Sequence, residues 1–119
     1  MPTSRLRVAR DPALALIVRI FVDSVTERWN VSDPIREDLR LAASELFSGA
    51  VDAEDGDLVT FELTSEDTGL ELRAEDVHSH EVGQPAGLES GPGRFDLVRA
   101  LFPDAEIGET VRIRVPVPA

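Results

Sequence analysis

The sequence predicts one α/β (α+β) domain, a two-layer sandwich in which a mostly antiparallel sheet carries three helices on one face. Three observations predict it. Stretches at Arg5–Ala9, Asp57–Leu63, Leu70–Asp76 and Thr110–Val115 alternate apolar and polar residues, the pattern of strands with one buried face. Asp11–Trp29 and Asp33–Val51 instead repeat apolar residues at helical spacing,. A shorter helical stretch follows at Gly93–Leu101. Strands with a single apolar face need helices to cover it.

The chain of 119 residues is the size of one domain, spanning 1–119 without an internal repeat or linker,. Its net charge of −11 opposes direct nucleic-acid binding and anionic membranes and suits a basic protein partner or plain solubility,. All 12 basic residues are Arg, a bias of high-GC bacterial coding. With no Cys there is no disulfide framework or thiol nucleophile,. Five Phe, one Trp and no Tyr leave few stacking platforms for single-stranded nucleic acid,. Arg5, Arg7 and Arg10 before the apolar run Ala13–Val18 resemble a signal peptide, but Asp11-Pro12 divides the two parts and Arg19 interrupts the run,. A cytoplasmic protein is the expectation.

The elements follow in order. Leu6 and Val8 face one way in the first strand, Arg5 and Arg7 the other. Asp11-Pro12 starts a helix, with Asp as N-cap and Pro in the first turn. Leu14, Val18, Phe21, Val22, Val25 and Trp29 form its stripe, and Asn30 ends it. Asp33-Pro34 repeats the start signal, with Glu37 and Asp38 where the helix dipole favours acids. Ile35, Leu39, Ala42, Leu46 and Ala50 give the core stripe of this second helix, while Leu41, Glu45 and Gly49 share a neighbouring face. A helix-interior glycine costs about 1 kcal/mol relative to alanine, and a Ser48-Gly49 pair is a site of kinks.

Asp52–Gly56 is a polar turn. Val59, Phe61 and Leu63 share one side of the next strand; Ser65–Gly69 turns the chain; Leu70, Leu72 and Ala74 then face inward. Periodicity vanishes over Val77–Pro92, and a connection of that length is either functional or disordered. The helix from Gly93 ends before Pro103. Ala105–Ile107 and Thr110–Val115 close the chain as a hairpin through Gly108. The polar sheet face bears Arg5, Arg7, Glu71, Arg73, Glu75, Arg112 and Arg114.

Three places carry chemistry. Glu45 is an acid on a face the core does not need, one turn before Gly49. Asp76 ends its strand on the inward side, where a carboxylate needs hydrogen-bond donors such as a purine amino group or loop N–H groups. Gly91-Pro-Gly93 opens a helix, letting backbone N–H groups approach an anion, with Arg94 adding charge. His78 and His80 fall on one side of an extended chain in line with Asp76, either as a thin metal-ligand set or as exposed loop histidines.

In this order, across nearly the whole chain, Glu45-Leu-Phe-Ser-Gly49-Ala, Asp76-Val-His78-Ser-His80 and Gly91-Pro-Gly93-Arg-Phe-Asp-Leu-Val98 resemble the motifs of the GHKL (Bergerat-fold, histidine-kinase-like) ATPase superfamily, and within it the bacterial anti-sigma-factor serine kinases. The resemblance implies that Glu45 polarises the attacking hydroxyl or water and that Asp76 accepts the adenine amino group. It implies that Gly91 and Gly93 lie around the triphosphate, next to the charge that Arg94 adds, and that residues 76–92 form a lid-like loop, with Val77–Ser90 as the ATP lid. Two departures weaken the site. The family's Mg²⁺-holding Asn is Gly49 here, and phosphoryl transfer depends on metal neutralisation. His78 and His80 replace glycines that let the backbone bend under the nucleotide.

The implied function is an anti-sigma-factor-like regulatory domain that binds a sigma factor or an anti-anti-sigma (STAS) partner, with ATP binding and kinase activity weakened or lost. The alternative is an active ATP-dependent serine/threonine protein kinase of the same family. ATP is the implied cofactor, without a side-chain Mg²⁺ ligand at Gly49, and a homodimer is the implied assembly.

Overall fold

A computed structural model of the chain describes residues 2–53, 58–75, 95–108 and 110–116. Among these residues the fold is α+β, with a four-stranded antiparallel sheet and three helices. Strand β1 spans Thr3–Ala9, helix α1 Ala15–Arg28 and helix α2 Asp33–Ala53; strands β2 and β3 span Leu58–Glu66 and Gly69–Glu75. Helix α3 at Asp96–Leu101 and strand β4 at Thr110–Pro116 complete the order.

The strands lie in the order β1-β2-β3-β4, every neighbour antiparallel. The register aligns Val8 with Val59, Phe61 with Leu6 and Ala74, and Leu72 with Leu63 and Ile113. Period-two alternation therefore becomes one continuous apolar surface across the sheet. Against it pack Val18, Val22 and Val25 of α1, Leu39, Ala42, Ala43, Leu46, Phe47 and Ala50 of α2, and Val98 of α3, all buried in the same core. The other sheet face is polar. Its middle row runs Arg5, Glu62, Arg73, Arg112, with Arg5 Nε donating to Glu62 at 2.6 Å.

Several boundaries differ from the sequence reading, each for a local reason. The Asp11 carboxylate does cap, accepting from Ala13 N–H at 2.9 Å, but Pro12–Leu14 is a 3-10 turn and α1 starts only at Ala15. Asn30 takes the left-handed conformation (φ 59°) after α1, the role Asn shares with Gly beyond a helix end. Helix α2 is unbroken through Ser48 and Gly49 and runs to Ala53. The expected β2–β3 turn tightens to Asp67-Thr68, because Glu66 already pairs with Gly69. The expected closing hairpin reduces to one bridge, in which Glu106 and Arg112 exchange two backbone hydrogen bonds of 2.9 Å. The third helix begins at Asp96 rather than Gly93, because Phe95 is left-handed (φ 67°, ψ 14°) and cannot continue a right-handed helix,.

Candidate functional site

The site expected from the sequence would be assembled from α2, the end of β3 and the start of α3. Glu45 and Gly49 are the parts of it within the described residues. Both lie on the flank of α2 away from α1. The flank toward α1 is identified by Arg36 and Arg40, whose guanidiniums donate to Asp23 Oδ1 of α1 at 2.8 and 3.2 Å. At about 100° per residue, Leu41, Glu45 and Gly49 fall on one rising stripe, and burial deepens along it. Leu41 is exposed, Glu45 half-buried and Gly49 buried. Glu45 therefore stands where α2 passes from solvent into the core.

Among the described residues, the Glu45 carboxylate makes no hydrogen bond or ion pair. A half-buried carboxylate without a protein partner keeps its acceptor sites for water or a ligand. One turn on, Gly49 presents no side-chain donor atom, and its own backbone belongs to the helix. Among the described residues, Glu45 is thus one carboxylate without a second carboxylate or imidazole grouped with it. No group of three or more His, Cys, Asp or Glu side chains suited to a metal occurs among the described residues. Divalent cations such as Mg²⁺ bind through oxygen ligands, and the described part of the site does not fit one.

The remaining expected site residues, Asp76, Gly91, Gly93 and Arg94, lie outside the described residues, as do His78, His80 and the lid-like loop. The structure does fix both flanks of that segment. On one side, Glu75 is held in the sheet between Thr60 and Thr110. On the other, Phe95 is buried (1% exposed) and left-handed. A bulky residue held there costs about 1–2 kcal/mol and persists only where surrounding packing holds it.

Two polar features escaped the sequence reading. Asp23 binds Arg36 and Arg40 together, and Arg36 also donates to Asp33 at 3.2 Å. The i,i+4 spacing of the two arginines was a visible signal; their shared acid was not, because it requires the antiparallel pairing of α1 with α2. Glu62 is nearly buried on the polar sheet face (9% exposed) and is neutralised by Arg5. No helix among the described residues is long and apolar enough to cross a membrane. No protein-family model matches the chain, and no curated protein matches it significantly.

Proposed function

We propose that this chain is a regulatory protein-binding domain of the GHKL type, resembling an anti-sigma factor, that binds a sigma factor or a STAS-domain anti-anti-sigma partner with weakened nucleotide chemistry. The observation that carries the reading is the pairing on α2 of an uncommitted, half-buried Glu45 with a buried Gly49 one turn on. The acid resembles the family's catalytic residue. The glycine removes the side chain that would hold Mg²⁺ and bridge the phosphates. Support also comes from the element order of strand, two helices, two strands, helix, strand, which accommodates the resemblance along the chain. The net charge of −11 favours a basic protein surface over nucleic acid,.

The retained Glu45 favours a second reading, an active ATP-dependent serine/threonine kinase with altered metal binding. Calorimetric titration with a non-hydrolysable ATP analogue, with and without Mg²⁺, separates the two. The regulatory reading expects no more than millimolar, Mg²⁺-insensitive binding. Micromolar binding that requires Mg²⁺ would replace it with the kinase reading. In the same assay, Gly49→Asn is expected to add Mg²⁺ dependence. Partner binding is tested by two-hybrid pairing against bacterial sigma factors and STAS proteins, and failure with every member of both classes would sink the anti-sigma assignment.

A further inference from the structure

The four-stranded sheet ends in two outer edges, β1 and β4. On β4, Arg112 already exchanges two backbone hydrogen bonds of 2.9 Å with Glu106. Among the described residues, none pairs with the outer edge of β1. The Ser65 N–H donates to the Pro2 carbonyl at 2.9 Å, which marks Pro2 and Ser65 as a hydrogen-bonded pair of the β1–β2 ladder. Such pairs alternate along antiparallel strands. Ser4, Leu6 and Val8 therefore turn their backbone groups toward β2, and Thr3, Arg5 and Arg7 turn theirs outward. All three are exposed. The Ala9 carbonyl, next in that series, accepts from Asp11 N–H at 2.9 Å and closes the edge at its far end. The N–H and carbonyl groups of Thr3, Arg5 and Arg7 thus line an open strand edge, the template onto which a further strand adds.

The side chains along this edge indicate which strand it takes. The residues whose backbone faces outward are those on the polar sheet face. Arg5 donates to Glu62 at 2.6 Å. The exposed Arg7 side chain makes no hydrogen bond or ion pair among the described residues. On the other face, Leu6 is only partly buried while its ladder partner Phe61 is fully buried, so the core thins toward this edge. A complementary strand places acids opposite Arg5 and Arg7, because opposite charges stabilise a cross-strand pair and like charges oppose it. It places apolar residues opposite Leu6 and Val8. A second copy of the chain does not fit that description. Antiparallel pairing of two β1 edges sets arginine against arginine in every register that keeps both Arg5 and Arg7 paired within Thr3–Ala9.

We propose that the outer edge of β1 docks an extended segment of a protein partner that alternates acidic and apolar residues. The segment adds to the sheet as an antiparallel fifth strand, with carboxylates opposite Arg5 and Arg7 and apolar side chains opposite Leu6 and Val8. Its backbone bonds supply the affinity, and its alternation supplies the register, since a slip of one residue would turn the carboxylates to the core side. A contact of this size gives a dissociation constant of about 10 µM to 1 mM. The proposal does not rest on the regulatory reading above, because it uses no residue of α2.

The probe is a capped peptide of seven residues, the length of β1, with glutamate at its third and fifth positions, valine beside each, and threonine at both ends. It is titrated into the isotope-labelled full chain at about 0.15 M salt. Amide chemical shifts give the affinity and amide hydrogen exchange gives the pairing. At saturation, exchange should slow by about threefold or more at Thr3, Arg5 and Arg7, and stay unchanged at Ser4, Leu6 and Val8, which already face β2. Methylating the two glutamate backbone nitrogens leaves every charge in place and should abolish binding. Lysine in place of both glutamates should weaken it at least about tenfold. Arg7→Glu should weaken the glutamate peptide about fivefold and strengthen the lysine peptide. Arg19→Glu makes the same change of net charge on an exposed position of α1 and should alter either affinity by less than about twofold. No binding at about 5 mM peptide, binding that survives methylation, protection without the alternation, or equal effects of Arg7→Glu and Arg19→Glu would each overturn the proposal. Protection of Thr3, Arg5 and Arg7 in the free chain that grows with its concentration would overturn it too, by assigning the edge to a second copy.

Discussion

Gly69 and Gly108 make a controlled pair for testing how the sheet is packed. At most glycines in a compatible backbone conformation, alanine stabilises by about 0.4–1 kcal/mol, because it restricts the unfolded chain. Gly108 is such a position. Neither glycine has its φ in the left-handed region, and the nearest atom to a methyl group at 108 is the Thr110 carbonyl oxygen at 3.8 Å, an ordinary contact. Gly69 is not. A methyl group there overlaps the Val115 carbonyl oxygen and comes within 2.9 Å of Pro116 Cα. The obstacle is the backbone of β4, which pairs with β3 from Gly69↔Pro116 to Glu75↔Thr110 and cannot rotate away as a side chain would. Relief requires parting the end of the β3–β4 ladder, with a cost in the overpacking range of about 1–3 kcal/mol.

Gly69→Ala is therefore expected to lower Tm by several degrees, at about 3–5 °C per kcal/mol for a chain of this size. Gly108→Ala should leave Tm unchanged or raise it slightly. Urea denaturation followed by circular dichroism supplies the free energies, and an unchanged m-value shows that the native state, not the denatured ensemble, is affected. If Gly69→Ala is as stable as the parent, the β3–β4 register described above is wrong at its Gly69 end.

Phe95→Ala and Phe95→Gly should both destabilise by about 3 kcal/mol or more, since the ring is fully buried,. Glycine should nevertheless be the milder replacement by about 1 kcal/mol, because it alone adopts φ 67° without strain,; a reversed order in thermal melts would contradict the left-handed assignment. Leu46→Ala, at 0% exposure between α2 and the sheet, should cost about 2–5 kcal/mol, whereas Leu41→Ala one turn away should change denaturant stability by less than about 0.5 kcal/mol,. Asp23→Asn should cost about 1 kcal/mol by weakening both ion pairs that tie α1 to α2, with the deficit shrinking toward zero in about 1 M salt,. A salt-independent deficit would mean that the carboxylate acts by packing rather than by charge.

Much of the fold was legible because its signals are local. Alternation at Val59-Thr-Phe-Glu-Leu63 and at Val111-Arg-Ile-Arg-Val115 reports a pleated strand with one dry face, and every residue it assigned to the core in those two strands is buried. The stripe of Leu39, Ala42, Leu46 and Ala50 reports a helix by the same logic with a different period,. Turn chemistry was legible only to within a few residues. Ser65–Gly69 carries the residue types of a turn, but its two-residue length follows from the pairing of Glu66 with Gly69, a register the turn sequence does not encode,. Likewise, the run Phe95-Asp-Leu-Val98 has helical spacing throughout, yet packing places Phe95 in a left-handed conformation, so the helix starts only at Asp96.

The candidate site divides along the same line. The sequence by itself determined that Glu45 and Gly49 share a face of a long helix, since 3.6 residues per turn requires it. It also determined that the glycine offers no ligand. Only the tertiary structure decided that this face sinks into the core between the two residues, leaving Glu45 half-buried and uncommitted and Gly49 enclosed. It alone joined Asp23 to Arg36 and Arg40, and it alone brought Leu16 and Ile20 beside Leu41. These are contacts between chain segments more than a dozen residues apart. Periodicity tells which way each side chain points from its own element, but which groups meet depends on how the elements pack.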